Sequence, residues 1–508
     1  MEFFLINSSQ AVGKYGNGVY LIHTGWDDWF TYETTYEVWF YNNNKQYYVG
    51  TTKIGSFNMK PSQRTVDLPT KFHAVPKECF SLGGDEAFYI ELNSKPIRDY
   101  RNSILIGLRD IAYNKVLYDK AKETDVFEVS LTRYVSKASI TGRFRRLANG
   151  DASLTNYHFN FTLENSNQED KPSMEFQVFQ NQLPPSNIHT IIGRNGVGKS
   201  FLLNNMIDSL LHNKDNFIFS DKYQDNKFSN LLSVNFSTFE NKEIFENNDD
   251  PKKGMIYYHL SPNSRANSKE NKIILNDNKE PVKVDGINAL FLESLAACLS
   301  KKPKRWMECI KVLDSDPVFK SINVSLLYKH FITNDNFDST SYKLFSKLSS
   351  GHKIVLLTLT KLIELSEEKT LIIMDEPEMH LHPPLLGSFV RSLSSLLRRV
   401  NGVAILATHS PIVLQEVPKE CVYKLNRFGE FINVERPTNE TFGEEIGILT
   451  SEVFGLELTE SGFHKLLNEA VNKGYSYEQI IDEFDDKLSR GASSVLRILL
   501  AKRRRENQ

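Results

Sequence analysis

Apolar positions along the chain follow two spacings, and the way these alternate predicts a layered α/β protein. In the first third, short aromatic and β-branched runs are broken by Gly and Asn. Trp29–Phe40 (WFTYETTYEVWF), the turn Asn42-Asn43-Asn44 and Gln46–Thr52 read as a β-hairpin. Further strand-like runs cover Val126–Tyr134, Asn156–Leu163 and Met174–Phe179. Segment 97–116 instead places Ile104, Leu105, Leu108, Ile111 and Ala112 at helical spacing. A β-branched run, Ile188–Ile192, predicts a buried strand, and Phe201–Leu211 (FLLNNMIDSLL) a helix behind it.

From Leu211 to Leu344 the pattern loosens. DKYQDNKFSN, ENNDDPKK and SPNSRANSKENK are polar and turn-rich, as exposed loops are. Asn230–Phe239 and Met255–Leu260 read as strands, and Ile287–Leu299 and Trp306–Leu313 as helices. No heptad repeat is sustained here, which argues for a compact helical lobe and against a long coiled-coil arm. The helical run IVLLTLTKLIEL follows, then strands at Leu371–Met374, Val403–Ala407, Cys421–Leu425 and Glu430–Glu435. Helices at Glu444–Phe454, Gly462–Lys473, Tyr477–Leu488 and Ser493–Arg505 close the chain.

Composition narrows the class only a little. The 508 residues, 40% hydrophobic and 24% charged, suit a soluble globular protein with core for two to four domains or one large one. A formal net charge of −2 gives no global attraction to nucleic acid, so such binding would need a local basic patch. Arg143-Phe144-Arg145-Arg146 is one such cluster; a solvated strand edge is its plainer reading. Four scattered cysteines without a C-x-x-C pair argue against a zinc module or disulfide framework and suit a reducing cytoplasm. No apolar run approaches the roughly 20 residues that span a bilayer, and the N-terminus lacks a secretory signal.

Chemistry concentrates in four places. Gly193-Arg194-Asn195-Gly196-Val197-Gly198-Lys199-Ser200 fits G-x-x-x-x-G-K-[ST] between a strand and a helix. Gly193, Asn195, Gly196 and Gly198 let backbone N–H groups turn toward a phosphate chain. Lys199 reaches the terminal phosphates and the Ser200 hydroxyl a Mg²⁺ ion. Leu348-Ser349-Ser350-Gly351-His352-Lys353 opens a helix with a serine and a glycine, a second arrangement suited to phosphate through Ser349 and Gly351. Leu371–Pro377 (LIIMDEP) is an apolar strand delivering Asp375 to the metal and Glu376 to the attacking water as general base. His409, just past the strand Val403–Ala407, is placed as a γ-phosphate switch residue.

In this order the motifs resemble an ABC-type ATPase head, and DEPEMHLHPP (Asp375–Pro384) resembles the overcoming-lysogeny-defect and RecF-like branch. Together with DDWFTYETTYEVWFY, VGTTKIG, RNSILIGLRDIAYN, LLSVNFSTFE and SSVLRILLAKRRREN, the whole chain resembles PtuA, the ATPase subunit of Septu anti-phage systems, retron-attached ones included. That implies an α/β fold: an ABC-type P-loop head with a strand-rich N-terminal lobe (1–180), a first core half (181–240), a mainly helical insertion (241–345), a second core half (346–436) and a helical partner-docking extension (437–508). It also implies ATP and Mg²⁺ as cofactors and a homodimer or higher assembly of dimers, in which Ser349 and Gly351 of one chain complete the site built by Lys199, Ser200, Asp375, Glu376 and His409 of the other. The implied partners are an HNH nuclease subunit (PtuB-like) and, in retron versions, a reverse transcriptase with its msDNA; a cytoplasmic location without membrane contact goes with them.

Two departures stand out. No glutamine ends the VNFSTFE strand, where Asn235 or Ser237 substitutes, and His352 stands where the ABC signature carries Gln. No nuclease motif is present. Asp482, Asp485 and Asp486 lie in a helical pattern and read as a solvated acidic face, while the basic end AKRRRE suits nucleic acid or an acidic partner as well as a helix dipole. The expected function is an ATP-hydrolysing regulator of a separate nuclease; a RecF/OLD-like DNA-repair ATPase and an ATP-locked scaffold are the alternatives.

Overall fold

The computed structural model describes residues 1–26, 31–60, 63–133, 135, 137–150, 156–163, 171–179, 182–220, 227–236, 245–250, 253–261, 272–275, 281–284, 286–324, 326–333, 336–428, 431–460 and 462–506. Its centre is a sheet of seven strands: β1 (Ile188–Gly193), β2 (Asn230–Asn235), β3 (Ile256–Leu260), β4 (Thr370–Asp375), β5 (Val403–Thr408), β6 (Val422–Phe428) and β7 (Phe431–Glu435). Their order is β3-β2-β4-β5-β1-β6-β7, and all neighbours are parallel except β6 and β7. A parallel sheet needs cover on both faces, and every residue of β1, β4 and β5 is accordingly buried.

The period-2 alternation divides these strands between two apolar cores. Ile372 and Met374 of β4 pack with the helices Ser350–Leu365 and Pro383–Arg399 and with the insertion helices Gly286–Lys301 and Pro303–Val312. Leu371 and Ile373 face the other way, onto the helix Lys199–Leu211 and a three-stranded sheet of Tyr157–Thr162, Ser173–Val178 and Phe217–Phe219. The α/β P-loop fold expected from the motifs is the fold observed. The N-terminal lobe has a six-stranded sheet and a core of its own, running from Phe3 to Ala148. Among the described residues of 241–345, Ile256–Leu260 is the β3 strand of the central sheet, Lys272–Leu275 and Pro281–Val284 pair as a hairpin, and helices follow from Gly286. All four cysteines are buried and free, and among the described residues no helix is long and apolar enough to cross a membrane.

Several local expectations are corrected. The expected hairpin forms from Thr35–Asn42 and Lys45–Ser56, while Trp29 and Phe30 lie outside the described residues. The helix expected over 97–116 breaks at Arg109, whose φ of 53° ends the segment Arg101–Leu108. Beyond it the buried Asp110 accepts hydrogen bonds from Tyr89 Oη (2.8 Å) and Tyr113 N (2.9 Å), a local network that competes with helix continuation. The expected strand Val126–Tyr134, whose Tyr134 lies outside the described residues, is not formed over Val126–Arg133: Phe127–Leu131 is a helical turn whose apolar side chains fill the N-terminal core, so packing overrides β propensity. The helix from Tyr477 ends at Glu483, and Asp485 and Asp486 sit beyond it, exposed, at φ 49° and 55°.

Candidate nucleotide site

β1 ends at Gly193, opposite Leu425 of β6, and the helix resumes at Lys199. The turn between them has positive φ at Gly196 (78°) and Gly198 (106°), which the two glycines meet without strain. Asn195 is exposed on the turn and Ser200 is half-buried in the first helical turn. Lys199 is only 5% exposed; its Nζ donates to the carbonyls of Gly193 and Arg194, each at 3.0 Å. Burial pushes its pKa down, and the carboxylates of Glu376, Asp375 and Glu378 pull against that shift.

The strand order places β5 between β1 and β4, so the loop and Asp375 are two strand spacings apart, roughly 9–10 Å. That gap admits a phosphate and a metal ion. Asp375 closes β4, buried, in register with Ala407 of β5 and Asn235 of β2. Glu376 follows at φ 49°, its N–H donating to the Ala407 carbonyl at 2.9 Å. A non-glycine residue in the left-handed region is a strained backbone of the kind found at functional sites. His409 stands just past β5; its Nδ1 is 3.6 Å from Glu376 Oε1 and 3.0 Å from Glu378 Oε1, outside hydrogen-bond alignment.

Glu378 is the residue of the candidate site that sequence reasoning passed over. Its Oε1 accepts from Thr408 Oγ1 (2.7 Å) and His409 N (2.6 Å), tying the loop after β4 to the end of β5. Burial would raise its pKa, but its contacts with His409 and Thr408 hold it below the usual carboxylate range. The Glu378 carboxylate in turn raises the pKa of His409 against the opposing effect of burial. The available signal was the second carboxylate of D-E-P-E, two residues after Glu376.

Ser349 and Gly351 stand among other neighbours. Ser349 is the N-cap of Ser350–Leu365, yet its side chain caps no N–H of that helix; its Oγ lies 2.7 Å from His352 Nδ1. First-turn N–H groups without an N-cap acceptor are what an anion at a helix start requires. Gly351 is needed for a close approach: a Cβ there would lie 2.7 Å from the His380 carbonyl, and His380 itself has φ 68°. His352 is buried between Ser349 and Asp316, with Nε2 3.2 Å from Asp316 Oδ1.

The basic cluster is neither a phosphate contact nor a solvated strand edge. Arg143–Arg146 is helical, Arg143 pairs with Glu86 at 3.0 Å and Arg146 with the buried Glu368 at 3.0 Å, and Phe144 is core. The Asp375 carboxylate at the end of β4, the Asn235 amide in register with it on β2 and the Ser200 hydroxyl in the first helical turn after the loop are hard oxygen donors, which suit Mg²⁺ better than a softer metal. Ser237, the other substitute considered for the missing glutamine, lies outside the described residues.

A protein of Escherichia phage lambda, protein ea59, is 36% identical over 534 residues, covering 99% of each chain. The chain belongs to the ea59 family. Residues 314–415 also match the family model described as "AAA domain, putative AbiEii toxin, Type IV TA system". In this ea59-family chain that stretch runs from Asp314 through the Ser349 loop, β4 and His409, and supports an ABC/AAA-type P-loop ATPase. Among solved structures, the ADP conformation of an ATP-binding cassette of an ABC transporter aligns with a TM-score of 0.29 and 15% identity, covering 60% of this chain and 99% of that one. UvrA2 from Deinococcus radiodurans aligns with a TM-score of 0.26 and 12% identity, covering 59% and 38%. The fold assignment rests on the strand order and the loop geometry rather than on these alignments.

Proposed function

We propose that the chain binds and hydrolyses ATP with Mg²⁺ and acts as the regulatory subunit of an anti-phage complex of the Septu or retron type, switching a separate HNH nuclease through nucleotide-dependent dimerisation. The observation that carries this reading is the buried Lys199, held by two loop carbonyls and facing Asp375, Glu376 and Glu378. Carboxylates converging on one site favour a ligand that brings both a cation and phosphate charge. Asp375 and Ser200 would hold Mg²⁺, which supplies charge neutralisation at the phosphates. Lys199 leaves its carbonyls for the terminal phosphates, Glu376 orients and deprotonates the attacking water, and His409, whose pKa Glu378 raises, donates to the γ-phosphate. Ser349 and Gly351, on a helix start with other neighbours, serve the nucleotide of a second copy.

The effector belongs to another chain because this one has no nuclease motif; a PtuB-like HNH subunit, with a retron reverse transcriptase and its msDNA where present, fills that role. The test is purification with and without the candidate nuclease. Mg²⁺-dependent ATP hydrolysis and an ATP-dependent dimer that retains or releases the nuclease are expected. Trapped, unhydrolysed ATP would instead favour a locked scaffold. One observation favours a second reading: the 36%-identical relative is a phage protein. A RecF/OLD-like ATPase serving phage DNA metabolism would show salt-sensitive DNA binding by the purified chain alone.

A further inference from the structure

With a neutral His352 ring, the hydrogen-bond chain Asp316–His352–Ser349 has one polarity, and it is the wrong one for a phosphate. Asp316 Oδ1 accepts from the backbone N–H groups of Val318 (2.9 Å) and Phe319 (3.3 Å) at the start of the helix Pro317–Ile322. His352 Nε2, 3.2 Å from the same oxygen, therefore carries a proton. In a neutral imidazole that leaves Nδ1 bare, and Ser349 Oγ, 2.7 Å away, gives it the only hydroxyl hydrogen. Ser349 then presents lone pairs outward, as does any phosphate oxygen it would meet.

We propose that His352, held by Asp316, is a positioning residue that sets the direction of the Ser349 hydroxyl, and that closing the ATP-bound dimer takes up one proton at each His352. The inference rests on the reading that Ser349 meets a phosphate bound by a second copy. With Nδ1 protonated, the ring donates to Ser349 Oγ and the hydroxyl hydrogen turns outward to the phosphate. The bond from Nε2 to Asp316 is kept and becomes an ion pair. Turning Ser349 away from a neutral ring would instead leave a lone pair unmet on a side chain that is 7% exposed.

The groups facing this ring come from three elements. Asp316 favours the added charge. The Phe319 ring lies edge-on with centroids 5.2 Å apart, and the His382 ring, at the N-cap of Pro383–Arg399, is 5.8 Å away. His382 Nδ1 accepts the Leu385 amide at 3.4 Å, so in a neutral ring the proton sits on Nε2, which offers His352 no lone pair. A charge on His382 would oppose one on His352, so its contribution needs a separate control. On the own helix of His352, Lys353 points elsewhere, with Nζ over the Phe345 ring.

Closure that binds a proton is fully favoured at low pH and weakens as pH rises. The experiment uses full-length Glu376→Gln, in which ATP stays intact, and follows the dimerisation constant with Mg²⁺–ATP by sedimentation from about pH 6 to about 8.5. Affinity is expected to rise by up to about tenfold per site for each pH unit lowered, and this slope to flatten when His352→Gln is added. His409 titrates equally in both proteins and cancels in the comparison. His382→Asn, which keeps an N-cap acceptor, should retain the slope. Equal slopes with and without His352, or a slope lost only in His382→Asn, would overturn the proposal. No ATP-driven dimer at any pH in any of these proteins would overturn the underlying dimer reading. The nitrogen-15 shifts of His352 in the free chain then test the polarity alone, and a neutral ring protonated on Nδ1 would overturn it.

Discussion

Two buried clusters of charge in this protein contrast in how their charges are met. Between the N-terminal lobe, the insertion and the turn before β4, Glu86 bonds Arg143 (3.0 Å) and Arg305 (2.9 Å), Arg146 bonds Glu368 (3.0 Å), and Lys302 bonds Glu367 (3.2 Å). Each carboxylate there has its cation. In the nucleotide site, Asp375, Glu376 and Glu378 converge on a lysine that is bonded to carbonyl oxygens. The first arrangement is complete in itself and joins lobes. The second gathers three carboxylates around Lys199, with His409 beside Glu376 and Glu378, an arrangement that suits a charged ligand. Burial and shifted pKa values occur in both, so neither property alone marks a functional site; what marks it is how the charges are partnered.

The contrast is broken most sharply by exchanging the outcomes of two substitutions. Glu376→Gln should lower ATP hydrolysis by about 10²–10⁴-fold, the range for loss of a general base, with the melting temperature of the nucleotide-free protein little changed. A steady-state phosphate-release assay and a thermal scan measure both. Arg305→Ala should do the reverse: its side chain is 6% exposed, and removing one partner of a buried pair costs about 3–5 kcal/mol. If Arg305→Ala spared stability but abolished hydrolysis, the lobe-joining cluster would have to be reassigned to function.

Acid titration sharpens the same contrast. Burial would raise the Glu86 carboxyl, but the guanidinium groups of Arg305 and Arg143 bring it down to about 2. A depressed carboxyl contributes stability above its unfolded value, and that contribution is lost as pH falls through the folded value. Between about pH 4.5 and 2 the wild type should therefore lose stability more steeply than Glu86→Gln, which starts less stable. Glu368 runs the other way: burial raises its carboxyl despite Arg146, so its contribution changes above about pH 4.5, outside this window, and it is common to both proteins. Denaturant midpoints measured across that window give the comparison.

How much of this was legible in the sequence follows from the range of the interactions. The P-loop, β4 with Asp375 and Glu376, and His409 lie at strand ends that apolar runs announce, and parallel pairing brings those ends together. Arg143–Arg146 was open to misreading because its partners Glu86 and Glu368 lie far off in the chain, one of them 222 residues from Arg146, and no periodicity encodes such a pairing. Asp316 is likewise 36 residues from His352, across three short helices. Arg109 ended a helix whose apolar spacing continued, because a positive φ leaves no trace in hydrophobic pattern.

Within the nucleotide site, Glu378→Gln gives a smaller, directional effect. Glu378 keeps His409 protonated above its ordinary range, so His409 contributes fully below its unfolded value and loses that contribution as pH rises through the raised one. Removing the carboxylate charge should move the alkaline limb of the hydrolysis profile to lower pH. A limb that stays in place in pH–rate measurements would separate His409 from the rate-limiting protonation state.

The smallest expected effect concerns Gly351, where packing and function make separable demands. A Cβ at this position would lie 2.7 Å from the His380 carbonyl and 3.6 Å from Leu381 and Leu385 side-chain carbons. Backbone cannot yield as a flexible side chain does, so Gly351→Ala must push the Ser349 loop and the His380 turn apart. The cost is of the overpacking kind, about 1–3 kcal/mol, well short of removing a buried charge partner. Because His380 lies four residues from Glu376 on the same strained segment, the displacement should also reduce hydrolysis several-fold without abolishing ATP binding, which uses Lys199 and the P-loop. Nucleotide affinity by fluorescence titration beside turnover reads the two demands apart. Loss of affinity equal to loss of turnover would mean that the Ser349 helix start helps hold ATP within its own chain, and the division of the site between two copies would fail.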